Sequence, residues 1–169
     1  MITVKQNKKL SKNFTLHEMW RRFEVAKKLG IDNSPSIEVA ERLRRLAIDI
    51  LQPIRDAYND AILVKAYRCE ELNKAIGGVQ NSRHLTGDAA DCVCHENADV
   101  LFRIAAGLDL PHHKCILEIN KLGGTWLHIS QARENEKPKQ LFMIIDFRNG
   151  KKVNYLAREN AQKYYVKDL

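Results

Sequence analysis

The sequence predicts an α+β fold, with N-terminal helices packed on a small antiparallel sheet. Two observations point there. Apolar residues recur at helical spacing through the first third of the chain, and from about residue 60 the period shortens to two, in short runs joined by turn residues. Helices come first and strand pairs later, without the alternation that marks a doubly wound parallel sheet. The length of 169 residues fits a single domain over 1–169, with a core over about 10–147 and a C-terminal extension over about 148–169.

The elements follow in order. Thr15-Leu-His-Glu18 has the spacing of a capping box, which starts a helix that runs to about Lys28 and stops at Gly30. Ser34-Pro35 offers an N-cap followed by proline in the first turn. Ile37, Ala40, Leu43, Ala47, Ile50 and Ile54 then recur at helical spacing, and Pro53 is expected to kink or end that helix. Ala61–Ala66 reads as a strand, Glu70–Ile76 as a short helix closed by Gly77-Gly78, Ala89–Cys94 as a strand and Asn97–Ala106 as a helix. Cys115–Ile119 and Thr125–Ser130 form a hairpin across Lys121-Leu-Gly-Gly. Leu141–Phe147 and Val153–Leu156 form a second across Arg148-Asn-Gly-Lys.

Composition excludes several classes. Apolar residues are 44% and charged residues 29%, the mix of a globular protein rather than of a disordered tail or a disulfide-dense miniprotein. A domain of this size needs neither metal nor disulfide merely to fold. Lys and Arg total 28 against 21 acids, a formal +7 with a pI near 9.3, which suits an anionic partner such as nucleic acid or an envelope polymer. The basic residues are scattered (Lys5, Lys8, Lys9, Arg42, Arg44, Arg45, Lys151, Lys152) and form no arginine-rich arm or finger. No apolar run is long enough to span a membrane, so no membrane insertion is expected. Met-Ile-Thr-Val-Lys-Gln-Asn-Lys-Lys lacks the apolar stretch of a secretory leader, which predicts synthesis in a cytoplasm and four reduced cysteines: Cys69, Cys92, Cys94 and Cys115.

Two segments carry the chemistry: Ser82-Arg-His84-Leu-Thr-Gly87-Asp-Ala-Ala-Asp91, and Trp126-Leu-His128. A catalytic zinc takes three protein ligands and keeps a fourth position for water, and His84, Asp91 and His128 supply two imidazoles and a carboxylate. Gly87 lets the backbone turn, which places His84 in a loop and Asp91 at the start of the next strand. Spacing alone leaves other readings open: satisfied core or surface histidines, a turn aspartate, or thiolate ligands from Cys92, Cys94 or Cys115. Cys-x-Cys on a strand has no second pair to complete it, and buried free thiols explain these cysteines better.

Ser82, His84, Gly87, Ala89 and Asp91, followed by Trp126 and His128, resemble the Ser-x-His-x-x-Gly-x-Ala-x-Asp … Trp-x-His signature of the zinc D-alanyl-D-alanine carboxypeptidases and related murein endopeptidases. That family shares a fold with the hedgehog signalling domain and includes phage cell-wall lysins. Tyr67-Arg68-x-x-Glu71-Leu72-Asn73, Ile116-Leu117-Glu118, Leu16-x-Glu18-Met19 and Leu51-Gln-Pro-Ile-Arg55 are also similar to it, so the resemblance runs from about residue 10 to 145.

The resemblance implies that His84, Asp91 and His128 bind one Zn2+, that Arg68 faces a substrate carboxylate, and that Ser82 hydrogen-bonds substrate beside the metal. Several members place an acidic base three residues before the last histidine, where this chain has Thr125. Glu118 is the substitute: in a hairpin centred near Gly123, residues 118 and 128 fall opposite each other on one face, and the phage-like branch keeps a glutamate there. A simple ion pair of Glu118 with Lys114 is the alternative. His113 sits where related phage sequences show aspartate; it, His112, His17 and His95 are read as loop residues. The function implied is zinc-dependent hydrolysis of amide bonds in peptidoglycan stem peptides by a phage or prophage lysin, held in the cytoplasm for a holin or carried in a virion. The alternatives are a zinc-binding attachment or assembly module of the same fold with hydrolysis lost, and a basic nucleic-acid binder.

Overall fold

The computed structural model describes residues 8–21 and 24–166; Lys5 and the rest of the first seven residues of the segment read for a leader lie outside them. The capping box forms as written: Thr15 N–H and hydroxyl both donate to Glu18 Oε2, at 2.9 and 2.8 Å, and helix α1 (Leu16–Arg21) follows. Helix α2 (Glu24–Leu29) ends before Gly30, whose φ of +67° closes it. His17 therefore lies in α1, not in a loop, with its ring edge-on to Trp20 at 5.8 Å. The next helix, α3 (Ile37–Leu46), is capped by Ser36, not Ser34, since Ser36 Oγ accepts from Val39 N–H while Ser34 N–H is taken by Asp32.

Pro53 does not end this helix. A π-helical turn over Ala47–Leu51 shifts the ladder, so Gln52 N–H reaches Ala47 O, and Pro53 then sits in the first turn of α4 (Gln52–Tyr58), where its missing N–H costs nothing. Asn59, at φ +58°, stops α4. The remaining elements are β1 (Leu63–Lys65), α5 (Glu70–Ala75), a 3₁₀ turn (Arg83–Thr86), β2 (Ala89–Val93), α6 (Asp99–Gly107), β3 (His112–Ile119), β4 (Thr125–Gln131), β5 (Leu141–Asp146), β6 (Lys152–Leu156) and α7 (Arg158–Ala161).

The sheet runs β1-β2-β4-β3-β5-β6. It is antiparallel except between β3 and β5, which are parallel, so the expected α+β fold with helices on an antiparallel sheet holds with one parallel pair. The cause is the connection after β4: β3 already holds β4 on one edge, so the chain crosses to the other edge of β3 and enters β5 in the same direction. The β5–β6 hairpin forms at the expected turn, with Gly150 at φ +86°.

Alternation gives the sheet two different faces. Val64, Cys92, Leu127, Cys115, Leu117 and Ile144 point to one side and are buried against α3, α4 and α6, whose Leu43, Leu46, Ile54, Leu101 and Phe102 complete the core. Leu63, Lys65, Asp91, Val93, Trp126, His128 and Glu118 point to the other side, which no helix layer seals. His112 and His113 belong to β3 and are buried, at 0% and 5% exposure, instead of lying in a loop. A β-bulge between His112 and Lys114 admits the extra residue. His95 does lie in a connection, after β2.

Candidate metal centre

The centre is built on the open face by three stretches. Ser82 caps the 3₁₀ turn, its Oγ accepting from His84 N–H at 3.3 Å. Gly87 ends the turn at φ +75°; a Cβ there would stand 3.0 Å from Val39 Cγ1 and 3.1 Å from the Val39 carbonyl, so the turn seats on α3 only without a side chain. His84 is thereby buried at 2% exposure, with Nδ1 on the Ala66 carbonyl. That contact fixes Nδ1 as the protonated nitrogen and leaves the Nε2 lone pair free. Asp91 lies in the middle of β2, not at its start, directly across from His128 of β4.

The three candidate ligand atoms converge. His84 Nε2 lies 3.3 Å from His128 Nδ1 and 3.3 Å from Asp91 Oδ1, and the latter two atoms are 2.9 Å apart. Donors at about 2.0–2.1 Å from one tetrahedral zinc stand about 3.3 Å from one another, so these separations fit that ion with little movement. No other group of three or more His, Cys, Asp or Glu side chains among the described residues converges in this way. Electrostatics agree with the geometry. Burial pulls the His84 imidazole below its usual value, against the pull of Asp91, which keeps it neutral and able to ligate. Burial pushes Asp91 up, but His84 and His128 outweigh it and hold the carboxyl well below its usual range.

Arg68 and Ser82 sit beside this group. Arg68 Nη2 donates to Ser82 Oγ at 3.4 Å and Nη1 is 3.9 Å from Asp91 Oδ2, while Nε is buried with no hydrogen-bond partner among the described residues. Burial lowers the guanidinium from its ordinary value, with Asp91 and Glu118 acting in the opposite sense. Ser82 Oγ accepts from the His84 N–H and from Arg68, which leaves its O–H proton free to donate.

Glu118 does not face His128 directly. The register pairs Glu118 with Trp126 and Ile116 with His128, because the hairpin is centred on Leu122 instead of Gly123. The shift is two residues on the partner strand, so Glu118 stays on the face of Asp91 and His128 as a diagonal neighbour. Burial raises its carboxyl above the usual value, opposed by His128 and Arg68. Thr125 belongs to the opposite face and accepts from the Ala98 N–H that starts α6, at 2.7 Å. An acid at 125 would therefore not reach the centre in this register.

The cysteines are all free. Cys92 and Cys115 are buried and their thiols pushed up by desolvation, Cys69 caps α5, and Cys94 donates to the Glu96 carbonyl at 3.4 Å.

Two features were not anticipated from sequence. Asp88, 1% exposed, accepts from Thr86 Oγ1 at 2.6 Å and from Gln131 Nε2 at 2.9 Å, tying the His84 turn to the end of β4. Burial of an acid within the motif has no signal in the sequence. The second is a cleft of ≈ 620 Å³ beside the centre, walled by Val25, Leu63, Val93 and Trp126 with Lys65 and Arg68 among its lining.

A family model described as Peptidase M15 matches residues 12–121, a stretch that holds Arg68, Ser82, His84, Asp91 and Glu118 but stops short of His128. No curated protein matches the chain.

Proposed function

The chain belongs to the peptidase M15 family of zinc-dependent metallopeptidases, and from that premise we propose that it hydrolyses amide bonds in peptidoglycan stem peptides. The observation that carries the reading is the convergence of His84 Nε2, Asp91 Oδ1 and His128 Nδ1 within 3.3 Å on the face that also bears Glu118.

In this proposal His84, Asp91 and His128 hold the zinc. A zinc ion held there would supply Lewis-acid chemistry, polarising a scissile carbonyl and acidifying water. Glu118 takes a proton from the attacking water and returns it to the leaving amine, a task suited to a carboxyl that burial has raised. Arg68, which lines the cleft, receives the substrate carboxylate, and Ser82 hydrogen-bonds the substrate beside the metal. The formal +7 charge favours an anionic wall polymer. The same reading extends to a phage or prophage lysin that reaches the wall from the cytoplasm.

The test is metal stoichiometry by native mass spectrometry on tag-free protein beside a His84→Ala variant, followed by muropeptide digestion. One zinc per chain, lost in the variant, together with release of stem-peptide fragments is the expected result. Absence of zinc after the metal is supplied overturns the proposal. Zinc without cleavage of any muropeptide leaves a binding module instead.

A further inference from the structure

The cleft beside the metal centre holds a second cation that the proposed mechanism does not use. Lys65 lies on β1, the edge strand, in register directly across from Asp91 and on the same face. It is exposed and lines the cleft together with Arg68. Facing strand residues are near enough to pair, yet among the described residues Lys65 makes no ion pair. The reason is visible in Asp91: Oδ1 is taken by the two imidazoles and Oδ2 leans toward Arg68. The Lys65 ammonium is therefore left in the cleft with apolar neighbours Leu63, Val93 and Trp126, and of the two acids in the lining, Glu24 and Asp91, the second is already engaged.

We propose that Lys65 is a specificity-determining residue that reads a second carboxylate on the substrate, so that the preferred peptide is a diacid: one carboxylate on Arg68 and another, on an acidic side chain, on Lys65. The inference rests on the peptidase reading for the identity of the cleft. It adds what that reading leaves open, the charge pattern of the peptide. An ammonium on a flexible stem suits a carboxylate whose orientation need not be fixed, whereas the planar fork of Arg68 sets direction. The apolar wall raises the value of the contact by excluding water from one side.

The experiment uses two tetrapeptides, alike except that one acidic side chain near the C-terminus is free in the first and amidated in the second; both keep a free C-terminus. Binding is measured by titration calorimetry on the zinc-loaded chain carrying Glu118→Gln, with peptide integrity checked by mass. The diacid is expected to bind about three- to tenfold tighter, with the margin shrinking as salt rises. Adding Lys65→Gln should bring the ratio to about one, and Lys65→Glu should invert it; a melting temperature shared by the three proteins shows that the fold is kept. Equal affinities with Lys65 present, a preference that survives Lys65→Gln, or no binding of either peptide overturns the proposal. Hydrolysis by the chain with Glu118 intact is scored separately. A preference governed by Lys65 in a chain that cuts neither peptide and releases no fragment from muropeptides upholds this role and sinks the peptidase reading, and cutting without preference does the reverse.

Discussion

Glu118 shows how a single residue divides activity from stability. Its carboxyl is raised by burial, so at neutral pH the charged form sits where desolvation disfavours it. A group whose folded pKa is raised adds stability below its unfolded value and gives it up as pH climbs through the folded one. Glu118→Gln removes that late loss while deleting the base. The expected outcome is a fall in kcat of about 10²–10⁴, zinc still bound, and a melting temperature at neutral pH equal to or above that of the parent. Steady-state kinetics beside calorimetry checks it, and unchanged turnover would move the base elsewhere. The His-Asp-His set was legible through the family resemblance; spacing alone left other readings open, because His128 comes from a strand distant in sequence. Glu118 was legible only by face. Its cross-strand partner was misjudged because Asn120, whose Oδ1 accepts from Leu122 and Gly124 N–H, shapes a loop centred one residue earlier. A two-residue error in pairing preserves the face, which is why the residue survived while its partner did not.

Among elements, the 3₁₀ turn that presents His84 depends on supports outside itself. Asp88 is the principal one, a buried carboxylate shared between Thr86 and Gln131, with Gln131 also donating to the Arg42 carbonyl at 3.0 Å. Asp88→Ala leaves one Gln131 Nε2–H without its acceptor and Thr86 with only the Arg83 carbonyl, at 3.2 Å, and should cost about 1–3 kcal/mol, read from urea unfolding at constant m. Asp88→Asn keeps one acceptor oxygen and should cost less. A pair of variants with equal cost would show that the charge, not the hydrogen bonds, is what holds the turn. A second support is Arg83, next to His84, whose Nη2 meets Glu136 at 2.6 Å on the β4–β5 connection. The π turn before Pro53 was not legible at all. It is a backbone adjustment that follows from keeping Ile50, Leu51 and Ile54 on the core side, and no residue type announces it.

At the scale of the whole molecule, burial of histidines in β3 sets the response to acid. His112 is fully buried, with Nδ1 near the Leu110 carbonyl, and desolvation lowers it from its usual 6.5 to about 4. His113 shifts the same way, for the same leading cause. The unfolded chain takes up these protons first, so their contribution leaves stability intact above about pH 6.5, lowers it between 6.5 and 4, and levels below. The His112 share of that loss is about 3 kcal/mol. His112→Phe should flatten this part of the curve when unfolding free energies of parent and variant are compared at pH 7 and pH 4.5; parallel curves would contradict it. Neither histidine was recognised as interior, because their cover comes from a tertiary pairing: Phe142 of β5 lies edge-on to His112 at 4.8 Å.

The two-faced pleat has an evolutionary consequence. Residues at even positions of β1 and β2 and at odd positions of β3 and β4 decide whether the chain folds; their neighbours, one residue along, decide what it meets. Selection can therefore rewrite 63, 65, 93 and 126 while 64, 92, 115 and 127 stay untouched, and a library confined to the first set explores new substrates on a constant scaffold.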